Sequence, residues 1–200
     1  MFLLKYLMFT GESLKIISVT GAHSRVGKTT LCSILLRKLK GLGAIKFTKT
    51  PLYTSLIEDA GVLSQKGKDT AMFLESGAER VVWVQSPYNE LKNVLETAIS
   101  RMAGLKGIIV EGNSPVDFLN PHLVIFILES DGHLKPSAIK VGKKADIIII
   151  NSKKQVKEPD FLAPIIQKNA KVFWIDLRER KGELEELICF VKERISRDTN

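Results

Sequence analysis

The chain has 200 residues, 44% of them hydrophobic and 26% charged, which is enough for one soluble domain with a sizeable core. Two cysteines, Cys32 and Cys189, exclude a disulfide scaffold; both fall in helical patterns and read as buried, reduced thiols in a cytoplasmic protein. The net charge of +8 favours anionic partners. Its lysines and arginines are scattered, however, and only "GKKAD" and "NSKKQVKE" approach clusters. With no Arg-rich helix, aromatic-interleaved basic stripe or zinc spacing, nucleic acid is not an expected partner.

The first 13 residues open with "MFLLKYLMF", which is interrupted by Lys5 and falls well short of the roughly 20 apolar residues of a membrane span. They read as an extra strand, a packing arm, or residues ahead of a start at Met8. No membrane association is expected.

Seven short β-rich runs follow, at 15–19, 44–47, 81–84, 107–111, 123–128, 146–150 and 171–176. Most are continuously apolar rather than alternating, the pattern of strands buried on both faces of a parallel sheet. Between them, Leu31, Leu35 and Leu39 lie four apart and predict a helix over Thr29–Lys40. Further helices are predicted over Asn89–Met102 and Gly182–Arg197, the last with Leu184, Leu187, Ile188, Val191 and Ile195 on one face. Strands alternating with helices imply one α/β domain over 1–200: a mostly parallel sheet of about seven strands with helices on both faces.

The segment "TGAHSRVGKTTL" joins the first strand to the first helix. Strand, glycine-containing loop and helix are the setting in which such a pattern holds phosphate. Loop amides curl around the phosphates, and the helix N-terminus adds its unpaired amides. Gly21, Ala22, His23, Ser24, Arg25, Val26, Gly27, Lys28, Thr29 and Thr30 therefore form the expected binding loop. Gly27 permits close approach, Lys28 reaches the outer phosphates, and the Thr29 hydroxyl binds Mg2+. The strict pattern has a second glycine with four residues between it and Gly27; here Ala22 occupies that position and Gly21 precedes it. A carboxylate at another strand's C-terminal end should support the metal, and Glu111 in "GIIVEGN" is placed for it. Asp69 in "KGKDT", ahead of another helix, is the second candidate.

"TGAHSRVGKTTL", "GAIKFTK", "KGKDTAMFLESGAERVVWV" and "IIVEGN" together resemble the molybdopterin-guanine dinucleotide biosynthesis protein B group of P-loop NTPases, over about residues 15–112. That resemblance implies GTP binding with weak hydrolysis, and an accessory role toward the nucleotidyltransferase that attaches a guanine nucleotide to molybdenum cofactor. The loop from "TG" to "VGKT" also resembles that of dethiobiotin synthetase, which implies an alternative: an ATP-dependent ligase or kinase acting on a small molecule. His23 and Arg25 replace acidic residues of the ligase loop. Through both resemblances Lys46 matches a lysine after the second strand, near the phosphates, and becomes a catalytic candidate beside Lys28. Glu111 and Asp69 fall on positions like those of magnesium-associated acids. A guanine-reading "NKxD" is only partly matched by "IIIINSKK": Asn151 fits, but Ser152 and Lys154 stand where lysine and aspartate belong. Asn151 is the candidate contact to a purine base, and a homodimer is a further expectation.

Overall fold

A computed structural model describes residues 14–154, 160–167 and 169–196; residues 1–13, including the expected N-terminal arm, lie outside the described residues. In chain order the elements are β1 (Lys15–Gly21), α1 (Lys28–Lys38), β2 (Leu42–Lys49), β3 (Ser55–Ile57), α2 (Ala60–Leu63), α3 (Asp69–Glu75), β4 (Val81–Ser86) and α4 (Leu91–Ser100). They continue with β5 (Gly107–Glu111), β6 (Leu123–Glu129), α5 (Pro136–Gly142), β7 (Ile147–Asn151), β8 (Lys171–Asp176), β9 (Lys181–Gly182) and α6 (Leu184–Ser196).

All seven apolar runs form strands, and they lie parallel in one sheet. The full order is β3-β4-β2-β5-β1-β6-β7-β8-β9. The sheet thus has nine strands among the described residues rather than about seven, because short antiparallel strands finish both edges. Buried alternation explains why the central runs read as continuously apolar. Ile125, Ile127, Ile147 and Ile149 pack on one side with Leu31, Leu35 and Leu187. Their neighbours Phe126, Leu128, Ile148 and Ile150 pack on the other side with Ala138 and Val141 of α5. Farther along that second face, Ile45, Val82 and Ile108 meet Leu91, Leu95 and Ala98 of α4. Each strand residue therefore finds an apolar layer whichever way it points.

The last helix corrects one expectation. Cys32 is buried, but Cys189 is exposed. It follows Ile188 directly, and one helical step of about 100° carries it off the buried stripe of Leu184, Leu187, Ile188 and Val191.

The order β2-β5-β1-β6 places β5 between β1 and β2. Connections leave β1 to one side and β5 to the other, so their C-terminal ends open a crevice of the kind where α/β sheets bind ligands. No helix among the described residues is long and apolar enough to cross a membrane.

Candidate functional site

β1 ends at Gly21 and α1 begins at Lys28, so residues 22–27 form the loop in the crevice. Its shape depends on two glycines. A Cβ on Gly21 would lie 2.6 Å from Val26 Cγ1 and 3.0 Å from the Ile127 carbonyl oxygen. Gly27 has φ 107°, and a Cβ there would come within 2.7 Å of Leu177 Cδ1. Ala22 and Val26 are buried, whereas Ser24 and Arg25 are exposed. The Ala22 amide donates to the Ile127 carbonyl at 2.8 Å, so alanine serves here because its backbone is what the sheet uses.

Two asparagines hold the loop at its ends. Asn113 Oδ1 accepts from the Gly21 amide at 3.0 Å, and Asn113 Nδ2 donates to the Gly21 carbonyl at 2.9 Å. Asn151 Nδ2 donates to the Val26 carbonyl at 3.1 Å, and Asn151 Oδ1 accepts from the Leu177 amide at 3.0 Å. Asn113 has no role in the sequence reading, since nothing local marks an asparagine whose partner lies 92 residues away. Its one signal is position, two residues beyond Glu111 on the same strand end.

The polar side chains converge because of strand register. Lys46 and Val19 flank Glu111 on the neighbouring strands. Laterally paired residues share a sheet face, and here it is the face covered by α1, since Val19, Ala44 and Ile109 pack with Leu31 and Leu35. Thr29, in the first turn of α1, donates its hydroxyl to Glu111 Oε2 at 3.0 Å. The Lys46 ammonium lies 2.6 Å from Glu111 Oε1 and 2.5 Å from Asp69 Oδ2. Asp69 is the first residue of α3, which carries it to the site from outside the sheet. Lys46 sits within β2 rather than after it.

Glu111 is 3% exposed, and both its oxygens are hydrogen-bonded. Burial alone would lower the pKa of Lys46, but the charge of Glu111 and hydrogen bonds to Asp69 and Glu111 outweigh it and raise the value. Lys28 moves the other way. Burial lowers it, Glu111 opposes that, and the nearby Lys46 ammonium adds to the lowering. Lys28 is half-buried and donates to the His23 carbonyl at 2.6 Å, so its side chain is folded onto its own loop. His23 accompanies it: Nδ1 is 2.7 Å from the Ser24 carbonyl oxygen, and Nε2 is 3.7 Å from Glu129. Thr30, half-buried, follows Thr29 in α1.

The donor set fits magnesium. Thr29, Glu111 and Asp69 offer hard oxygens, and the 3.0 Å between Thr29 Oγ1 and Glu111 Oε2 is about the spacing of adjacent ligands on an octahedron with ~2.1 Å bonds. No group of three or more His, Cys, Asp or Glu side chains gathers as a metal cage among the described residues. Magnesium needs none, because it binds through one or two carboxylates, phosphate oxygens and water.

No protein-family model and no curated protein matches the sequence. Solved structures do match. HypB from Helicobacter pylori, crystallised in complex with nickel, superposes with a TM-score of 0.64 at 13% identity, over 94% of this chain and 89% of that one. The fold is that of the P-loop NTPases. The hydrogenase maturation factor HypB from Archaeoglobus fulgidus gives a TM-score of 0.55 at 17% identity, covering 90% of this chain and 88% of its own. A plasmid partition protein from Borrelia burgdorferi gives 0.52 at 16% identity, covering 90% and 99%. At identities this low the likeness establishes the fold.

Proposed function

We propose that the chain binds a purine nucleotide with Mg2+ in the loop of residues 21–30 and hydrolyses GTP slowly, as a cytoplasmic accessory to the guanylylation of molybdenum cofactor. The observation that carries the nucleotide reading is the convergence of Lys28 and Thr29, directly after Gly27, on Glu111, whose carboxylate meets the Thr29 hydroxyl at 3.0 Å. Loop amides and the start of α1 would cradle the phosphates, with Lys28 against the outer ones. Thr29 and Glu111, with Asp69 beside them, would hold the metal, which supplies charge neutralisation at the phosphate oxygens. Lys46 would stabilise charge developing on the transferred phosphoryl group. The base would lie near Asn151, which keeps a second N–H and an oxygen lone pair beyond its bonds to Val26 and Leu177. The molybdenum-cofactor nucleotidyltransferase is the partner this reading takes from the sequence resemblance, and a second copy of the chain is a further partner.

A second reading is an ATP-dependent ligase or kinase, favoured by the residues after Asn151. Ser152 and Lys154 close a small turn on each other, with Ser152 Oγ donating to the Lys154 carbonyl at 2.9 Å and accepting from the Lys154 amide at 3.2 Å, and neither offers a carboxylate for the guanine amino group. Competition binding separates the two. The accessory reading expects a GTP preference of about tenfold or less, ~1.4 kcal/mol, and slow hydrolysis without added substrate that a protein partner accelerates. A clear ATP preference, with turnover only on adding a small carboxylated or amino substrate, would put the second reading first.

A further inference from the structure

Lys46 pairs with both carboxylates on which the metal assignment above rests, and the inference drawn here depends on that assignment. Its ammonium reaches Glu111 at 2.6 Å and Asp69 at 2.5 Å, while the other Glu111 oxygen takes the Thr29 hydroxyl. A carboxylate as buried as Glu111 requires a counter-charge close by, because water does not solvate it. Lys46 supplies that charge on the same two carboxylates that a divalent cation would use. The two cations are therefore alternatives: a metal beside Thr29 would crowd the Lys46 and Lys28 ammoniums, which already oppose one another's charge.

We infer that Lys46 gates metal entry: its ammonium holds Glu111 and Asp69 against free divalent cations, and the phosphates of an incoming nucleotide draw it away so that the metal enters with or after the nucleotide. The side chain suits this exchange. It is 16% exposed, at the rim of the crevice, and its four-carbon stem can swing a compact charge between neighbouring anions. The loop supplies the destination, since Lys28 and the start of α1 line the adjacent wall. Glu111 and Asp69 are the acids facing Lys46, and Lys28 is the base facing it.

The test uses Mg2+ alone, against Na+ at matched ionic strength, and reads thermal unfolding and calorimetric titration of the full chain. Wild-type protein should gain less than about 1 °C from Mg2+ alone, whereas Lys46→Met should start lower and gain about 3 °C or more in a saturating manner. Adding Glu111→Gln to Lys46→Met should abolish the gain. Lys46→Gln, which keeps a hydrogen-bond donor without the charge, provides a second variant that should also take up Mg2+ unaided. Equal Mg2+ responses in wild type and Lys46→Met, or none in either variant, would overturn the gate. A non-hydrolysable purine triphosphate added with Mg2+ to wild type separates the two levels of the account. Failure to bind it overturns the phosphate-loop reading itself, whereas binding it while both variants ignore Mg2+ overturns the gate alone.

Discussion

Asn113 and Gly21 form a closed pair: each donates one hydrogen bond to the other, at 2.9 and 3.0 Å, across 92 residues of sequence. The pair pins the last residue of β1 to the loop after β5, so the loop leaves the sheet in a fixed direction. Asn113→Ala removes both bonds and is expected to cost about 1–3 kcal/mol of stability in urea unfolding. Asn113→Asp should cost at least as much, because it turns a carboxylate oxygen toward the Gly21 carbonyl. Nucleotide affinity should fall in both, since the loop entrance loosens.

Asn151 plays the matching part at the other end of the loop. Its bond to Val26 acts on the loop directly while its bond to Leu177 anchors it beyond β8, and neither asparagine group by itself distinguishes guanine from adenine. Asn151→Ala should therefore weaken GTP and ATP binding together, with their ratio changing by less than about threefold, or ~0.7 kcal/mol. Competition binding checks this, and a larger change in the ratio would make Asn151 a reader of base identity.

The two asparagines show how far the sequence carries. The seven central strands and the helices over 28–38, 91–100 and 184–196 were legible because long apolar runs and stripes leave a periodic record. β3, with three residues, and β9, with two, leave none; pairing with β4 and β8 makes them strands. Lys28, Thr29 and Glu111 were legible because a phosphate loop and a strand-end acid are local patterns. The contact of Lys46 with Glu111 comes from register between β2 and β5, which only the folded sheet fixes. The pairing of Asn113 with Gly21 is of the same kind, a product of topology rather than of nearby residues.

Asp117, six residues beyond the end of β5, ties the segment after β4 to the end of α5. Its carboxylate accepts from Tyr88 Oη at 2.9 Å and pairs with Lys144 at 2.6 Å and Lys140 at 3.4 Å. Burial pushes this carboxyl up, but hydrogen bonds from Lys144 and Tyr88 and the positive charge of both lysines outweigh it and hold its pKa low. The folded state therefore releases this proton more readily than the unfolded state does. The associated stability is present above the ordinary aspartate range near pH ~4 and is lost as pH falls through the lowered folded value. Urea unfolding should show Asp117→Asn less stable than wild type at about pH 6, with the difference shrinking toward about pH 3. A difference that stays constant over that range would mean the ion pairs contribute nothing.

The central claim is that the loop around Lys28 binds nucleotide phosphates. Lys28 donates to the His23 carbonyl at 2.6 Å, and a phosphate would replace that neutral acceptor with a charged one. The deciding measurement is thermal or urea unfolding of wild type and Lys28→Ala with Mg2+, with and without a purine triphosphate. Wild type near 100 times its dissociation constant should gain roughly 2.7 kcal/mol, and Lys28→Ala should remain folded and gain little at the same concentration. An equal gain in both proteins, or none in either, would contradict the account.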